Sequence, residues 1–332
     1  MMHIHFETRR KKPPVFKMTR ALIEAALERA ALGAKLRTTL GSDLKDLSPL
    51  ASAAGLVTSN DVIRDRRFPR AELALRAPAL RWIHIIGAGI EPLLPLDWLP
   101  PRVTLTNNSG VHVRKIGEFA AMALLMLNAR VPQIFANQAA GRWEQIFTPS
   151  LAGRTLAVIG LGDMGGAAAR EGKRLGMRIL GLRRSARPHP LVDEMFPPDR
   201  LHAMLKEADF IFVATPLTPE TRHLIDRKAL LKTKRGAGLI NVGRAGVVDY
   251  DALRAALASG ALGGAVLDVF DPEPLPANSP LWRTPNLYLS PHCSSDDAEA
   301  YLPLTLDLVF ENAARLLAGR RLKNRVDPKR GY

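Results

Sequence analysis

Arg244, Glu273 and His292 are the residues of this sequence whose types and order could carry out acid–base chemistry, and they follow three glycines, Gly160, Gly162 and Gly165, spaced like a phosphate cradle. A dinucleotide site followed by a fixed cation, a carboxylate and a titratable ring can deliver a hydride and a proton to an anionic carbonyl compound. The proton must come from an imidazole that is protonated when substrate binds. Histidine titrates near neutrality, and an adjacent carboxylate favours its charged form. Arginine is always cationic, and its planar fork can hold a carboxylate while polarising the neighbouring carbonyl. Each residue also has an ordinary reading. His292 after Pro291 could be a capped loop histidine, Glu273 between Pro272 and Pro274 a solvated turn residue, and Arg244 the closure of a helix start. Convergence at strand ends, where a doubly wound sheet binds its ligands, would separate the two readings.

The elements that must position these groups are legible as alternating apolar runs and helical patterns. Gly160-Leu161-Gly162-Asp163-Met164-Gly165 lies between an apolar strand, Thr155 to Ile159, and an alanine-rich helix from about Met164 to Leu175. In that context the first glycine makes the turn, the second lets backbone approach a pyrophosphate, and the third packs helix against strand. The helix start offers its free N–H groups to phosphate. An ordinary strand-to-helix turn is the alternative. The next strand, Arg178 to Leu182, ends where an acidic residue would bind the adenosine ribose, and here Arg183 stands instead, with Arg184, Ser185 and Arg187 behind it. Guanidinium forks suit a phosphate dianion. The expectation is therefore NADP(H) in preference to NAD(H), with solvated loop charge as the plainer account.

The first third of the chain reads as strands at His3–Phe6, Lys35–Leu40, Gly55–Thr58, Leu80–Ile86 and Val103–Thr106, with a helix at Met18–Ala31. Asn107-Asn108-Ser109-Gly110 has the composition of a linker. A long apolar helix follows from Val113 to Arg130, continuing through Pro132 to Trp143. Later strands are expected at Phe210–Ala214, Gly238–Val242, Gly264–Val269 and Leu287–Ser290, with helices near Leu201–Ala208, Asp251–Ala258 and Ala298–Ala318. Strands alternating with helices imply parallel sheets. The expected fold class is α/β, two doubly wound parallel-sheet domains, with a Rossmann-type cofactor domain (residues 109–293) inserted in a flavodoxin-like substrate domain (residues 1–108 and 294–332). The chain would cross between them near Asn107 and near His292.

Composition narrows the setting. At 332 residues with 47% hydrophobic content, two separate cores are affordable. The single cysteine, Cys293, cannot form an internal disulfide, which fits the cytoplasm. No apolar stretch follows the basic start at Arg9 to Lys12, and the longest apolar run, Phe119 to Leu127, is too short to span a bilayer. The net charge of +15 is scattered apart from short runs at Arg9–Lys12, Arg183–Arg187 and Arg320–Arg330. No nucleic-acid-binding signature accompanies it, so solvated charge and anion steering are expected instead of a nucleic-acid or membrane partner.

The series Val213-Ala214-Thr215-Pro216-Leu217-Thr218-Pro219-Glu220-Thr221, Asn241-Val242-Gly243-Arg244, Leu267-Asp268-Val269-Phe270-Asp271-Pro272-Glu273-Pro274 and Ser290-Pro291-His292 resembles the D-isomer-specific 2-hydroxyacid dehydrogenases from about Leu80 onward. The ending Val326 to Tyr332 looks like the tail of a subgroup that includes glyoxylate/hydroxypyruvate reductases. The resemblance implies that Arg244 binds the substrate carboxylate and carbonyl, Glu273 orients the imidazole, and His292 is the acid/base. It also implies that Asp268 contacts the nicotinamide carboxamide, that Thr215, Pro216 and Thr221 lie along the cofactor, and that Val242 and Gly243 offer backbone near the ring. Gly87-Ala88-Gly89-Ile90 resembles the loop whose N–H groups receive the substrate carboxylate, with a plain glycine turn as the alternative. Ala245 departs from the glycine that commonly follows the arginine. Cys293 is expected to pack, His112 to sit at a helix start on the surface, and the helix from Val113 to form a homodimer contact. Relatives of the same fold that act as dinucleotide-sensing corepressors supply a second reading, in which cofactor binding shifts assembly and drives no turnover.

Overall fold

A computed structural model describes residues 1–185 and 187–328. Ala186, inside the basic run after Arg183, and residues 329–332 of the tail lie outside the described residues. Contacts divide the chain into one unit formed by Met1–His112 with Asp296–Tyr332, and a second formed by Val113–Ser295.

The first unit holds five parallel strands, β1 (Met2–Thr8), β2 (Leu36–Ser42), β3 (Gly55–Thr58), β4 (Trp82–Ile85) and β5 (Thr104–Thr106), in the order β2-β1-β3-β4-β5. Alternation along β1 sends Ile4 and Phe6, both fully buried, into one apolar layer with the helices Arg20–Arg29 and Tyr301–Leu317. Burial of each such side chain stabilises the fold by about 1.5–3 kcal/mol. The other face of β1 carries His3, His5 and Glu7, also buried. His5 Nδ1 lies 2.8 Å from Thr39 Oγ1, and Glu7 accepts from the Leu44 N–H at 2.8 Å. Burial, helped by Arg37, lowers the pKa of His3 to about 4. On β4, His84 is fully enclosed, with Nδ1 2.9 Å from Thr106 Oγ1 and Nε2 3.1 Å from Asn108 Oδ1; burial lowers its pKa to about 4.

The second unit holds seven parallel strands, β6 (Thr155–Ile159), β7 (Arg178–Leu182), β8 (Glu194–Phe196), β9 (Phe210–Val213), β10 (Ala237–Asn241), β11 (Leu262–Leu267) and β12 (Leu287–Leu289), ordered β12-β11-β10-β9-β6-β7-β8. The chain reverses its direction of advance between β6 and β9, which sets a switch point at their carboxyl ends. Strands β6, β9 and β10 are buried at every position because helices cover both faces, which is why they read as unbroken apolar runs. One face packs on the helices Val113–Asn128 and Asp163–Arg174, the other on Leu201–Glu207, Arg227–Leu230 and Tyr250–Ala258.

Two expectations need correction. The long helix does not run on to Trp143: it stops at Asn128, resumes at Val131–Ala139 and bends by 62°. Arg130 sits there at φ 55, and Pro132 can neither donate to the helix nor tolerate a helical turn before it. His112 is half-buried and not simply a surface residue. Its ring stacks on Tyr301 at 4.1 Å, and burial lowers its pKa to about 4. The edge strand β8, which pairs with β7, adds to the expected elements. Among the described residues no single helix is long and apolar enough to cross a membrane.

Candidate active site

His292, Glu273 and Arg244 all belong to the second unit and enter from beyond the carboxyl ends of three adjacent strands, β12, β11 and β10. After β12 the chain is held by Ser290 N–H donating to the Leu267 carbonyl at 2.9 Å, and His292 then takes a left-handed φ of 52. A non-glycine residue in that region is uncommon and marks a position held by its surroundings. The ring Nδ1 lies 2.7 Å from Glu273 Oε2, while Glu273 Oε1 accepts from the Phe270 N–H at 2.8 Å. With both carboxylate oxygens engaged, Glu273 fixes the tautomer that carries a proton on Nδ1 and leaves Nε2 for chemistry. The side chains of His292 and Glu273 are 47% and 36% exposed, so the pair is open to a reactant. Arg244 follows β10 with extended backbone, and its Nη1 donates to the Gly243 carbonyl at 2.7 Å.

The segment that carries His292 is tied down from behind. Asp268, buried, accepts from the Cys293 N–H at 3.0 Å, the Ser294 N–H at 3.2 Å and the Ser294 hydroxyl. Its carboxylate is thus engaged with the residues that follow the imidazole. Cys293, expected to pack, is exposed, because the turn that presents His292 also turns the thiol outward; its Sγ lies 3.4 Å from Ser290 Oγ.

The glycine fingerprint has the geometry its residue types require. Gly160 adopts φ +94, and a Cβ there would stand 2.8 Å from Thr215 Cγ2 and 2.9 Å from the Ala214 carbonyl. A Cβ on Gly165 would run into the Gly160 carbonyl oxygen, so helix Asp163–Arg174 can approach the strand only with glycine there. Gly162 is different: a Cβ would meet nothing within 4 Å. It caps the helix and faces open space beside the helical N–H groups of Asp163 and Met164, a fit for a pyrophosphate. Leu161 is buried behind it. The neighbouring turn approaches equally closely, since a Cβ on Gly243 would lie 2.6 Å from the Thr215 carbonyl oxygen. Val242 is buried beside it, Thr215 Oγ1 is buried without a hydrogen-bond partner, and Thr221 Oγ1 donates to the Pro216 carbonyl at 2.7 Å. Beyond β7, Arg183 donates to the carbonyls of Arg187 at 2.7 Å and Pro188 at 3.1 Å, while Arg184 and Ser185 are exposed.

In the first unit the loop after β4 is shaped by asparagines that sequence reasoning passed over. The Gly87 carbonyl accepts from the Asn108 N–H at 3.1 Å, the Ala88 carbonyl from Asn107 Nδ2 at 2.7 Å, and the Gly89 carbonyl from Asn60 Nδ2 at 2.8 Å. A trans peptide points its N–H opposite to its carbonyl. Each N–H of Ala88, Gly89 and Ile90 therefore points away from the asparagine that holds the carbonyl of the same peptide. Asn107 and Asn108 looked like linker because their partners, such as the Ala88 and Ile86 carbonyls and the Thr305 hydroxyl, lie far along the chain and leave no local pattern.

Comparison with known proteins agrees with this geometry. Residues 121–294 match the family described as D-isomer specific 2-hydroxyacid dehydrogenase, NAD binding domain. The glyoxylate reductase of Korarchaeum cryptofilum is 34% identical over 77% of this chain and 79% of its own length. Glyoxylate/hydroxypyruvate reductase B of Pectobacterium carotovorum is 32% identical over 86% and 88%. Among solved structures, an NADPH-dependent glyoxylate/hydroxypyruvate reductase from Sinorhizobium meliloti, in complex with NADP and sulfate, superposes with a TM-score of 0.80 at 28% identity, covering 100% of both chains. A D-isomer specific 2-hydroxyacid dehydrogenase from Xanthobacter autotrophicus, in complex with NADPH and MES, gives 0.82 at 30% identity over 98% of this chain and 99% of that one. The chain belongs to the D-isomer specific 2-hydroxyacid dehydrogenase family.

Proposed function

We propose that this protein reduces a small 2-oxo acid of the glyoxylate or hydroxypyruvate kind to the 2-hydroxy acid, of D configuration where the product is chiral. The observation that carries the reading is the 2.7 Å pair between His292 Nδ1 and Glu273 Oε2 at strand ends adjacent to that of Arg244. The nicotinamide dinucleotide, when bound, supplies the hydride to the carbonyl carbon. Gly160, Gly162 and the start of helix Asp163–Arg174 would hold its pyrophosphate, with Thr215, Pro216, Thr221, Val242 and Gly243 along the remainder. Arg244 binds the substrate carboxylate and polarises the carbonyl. His292 gives its Nε2 proton to the carbonyl oxygen as the hydride arrives, and Glu273 keeps the Nδ1 proton in place so that the ring remains aimed. By its resemblance to the family loop, the backbone of Ala88, Gly89 and Ile90 is a candidate to receive a substrate carboxylate.

Arg183, Arg184 and Ser185, at the position where an acid would repel a 2′-phosphate, favour NADP(H) over NAD(H). The NADP bound in the Sinorhizobium reductase and the NADPH in the Xanthobacter protein support the same preference. Leu125, Ile134, Phe135, Trp143 and Phe147 are exposed on the helices Val113–Asn128 and Val131–Ala139 and the segment after them, a surface suited to a second copy of the chain. Light scattering at micromolar concentration checks this, and a monomer would contradict it. The corepressor-like reading is not favoured, since the relatives above are named as reductases. A panel of 2-oxo acids followed by NADPH and NADH consumption tests the function. Turnover of glyoxylate or hydroxypyruvate with the higher kcat/KM for NADPH is expected; no consumption with any 2-oxo acid would refute the reduction, and a higher value with NADH would refute the cofactor preference.

A further inference from the structure

Arg244 and Glu273 follow the neighbouring strands β10 and β11. The hydroxyl of Tyr250 stands between their two supports. Tyr250 opens the helix Tyr250–Ala258, whose first turn is fixed by the Asp249 carboxylate accepting from the Asp251 and Ala252 N–H groups at 3.1 and 3.0 Å. Its Oη accepts from Asn241 Nδ2 at 3.0 Å and donates to the Val269 carbonyl at 2.7 Å. The directions are forced, because an amide nitrogen can only donate, a carbonyl can only accept, and a phenol has one proton to give. Burial pushes the Tyr250 phenol above its ordinary range, reinforced by the carboxylates of Glu273 and Asp268, so the hydroxyl stays a donor.

On one side, Asn241, fully buried at the end of β10, also donates to the Arg244 carbonyl at 3.1 Å and accepts the Gly243 N–H at 3.1 Å. On the other, Val269 leads into Phe270, whose N–H holds Glu273 Oε1 at 2.8 Å. One uninterrupted run of hydrogen bonds and backbone therefore connects Arg244 through Asn241, Tyr250, Val269, Phe270 and Glu273 to His292. We infer that Tyr250 is a positioning residue that couples the Arg244 turn to the Glu273 segment, so that the substrate-binding cation and the proton donor keep a fixed separation. Its catalytic consequence rests on the function proposed above; the coupling itself does not.

Tyr250→Phe keeps the ring and removes only the hydroxyl. The expected result is a loss of about tenfold in kcat/KM for the 2-oxo acid, with NADPH affinity unchanged, since small misplacements are costly to rate. In the Arg244→Lys background the same substitution should cost less than about twofold, because the group it positions is already altered. A loss that adds fully in both backgrounds, or a wild-type rate in Tyr250→Phe, would overturn the assignment. A second arm needs no activity: amide hydrogen exchange in Tyr250→Phe should quicken in both segments, residues 242–248 and 269–273, while the glycine fingerprint is unchanged. Exchange that quickens in neither segment, or in one alone, would overturn the coupling. A wild-type chain that reduces no 2-oxo acid would strike the proposed function and leave the exchange arm to decide this inference.

Discussion

The two sheets are wound alike, all parallel with helices on both faces, yet they place their polar residues in opposite ways. In the seven-stranded unit the reactive groups stand beyond the strand ends, where Glu273 and His292 are a third to a half exposed and Gly162 faces open space. In the five-stranded unit polar side chains lie within the strands: His3, His5 and Glu7 on β1 and His84 on β4 are almost wholly buried, each with hydrogen-bond partners. The difference separates two uses of the same chemistry. A histidine at a strand end is open to a reactant, whereas His3 and His84 inside strands are structural groups whose charging burial resists. The loop after β4 is an exception, where asparagines of the first unit hold the carbonyls of Gly87, Ala88 and Gly89.

The sharpest way to break this comparison is to alter one strand end. Arg244→Lys keeps the charge and loses the fork, and kcat/KM for the 2-oxo acid should fall by about 10²- to 10³-fold while the melting temperature is unchanged. A variant with near wild-type kinetics would remove Arg244 from the chemistry. His3 and His84, with the half-buried His112, should respond to pH instead. His3, His84 and His112 are each held at about 4, below the value near 6.5 of an unfolded chain, chiefly by burial. Between those values the unfolded state binds more protons than the folded one. Their contribution is therefore fully present above about pH 6.5 and is lost as pH falls toward 4, by up to about 1.4 kcal/mol per pH unit for each proton. The urea midpoint should drop over that interval, and a flat profile from pH 6.5 to 4.5 would contradict the placement of these rings. The smallest effect tests the exception. Asn60→Ala frees the Gly89 carbonyl, and the substrate KM should rise by about 2- to 10-fold with kcat preserved, the cost of one neutral hydrogen bond. A fall in kcat at constant KM would show that Asn60 acts elsewhere.

What the sequence discloses follows the same division. Strands buried on both faces, such as Gly55–Thr58, Thr155–Ile159 and Arg178–Leu182, announce themselves as continuous apolar runs and appear with those bounds. The glycine fingerprint is equally plain, because each glycine answers a distinct steric demand. The interior of the five-stranded unit is not, since His3, His5 and Glu7 alternate with apolar residues as solvent-facing positions would, yet they are buried against partners such as Thr39, Leu44 and Ser52. At the site, residue types single out Glu273 and His292, but their hydrogen bond closes over nineteen positions and depends on how two loops leave the sheet. Tyr250, Asn60 and Asn107 escape notice because each works through a backbone carbonyl, and a carbonyl has no residue type. The broken helix at Arg130 was hidden by an apolar pattern that continues through Pro132 while the backbone does not.

Proton delivery by His292 is most directly tested by a single turnover of the protein preloaded with NADPH and mixed with hydroxypyruvate, wild type against His292→Ala. The structure predicts a burst of NADPH oxidation in the wild type that slows by about 10²- to 10⁴-fold in the variant, with cofactor affinity unchanged. Equal burst rates in the two proteins would contradict it.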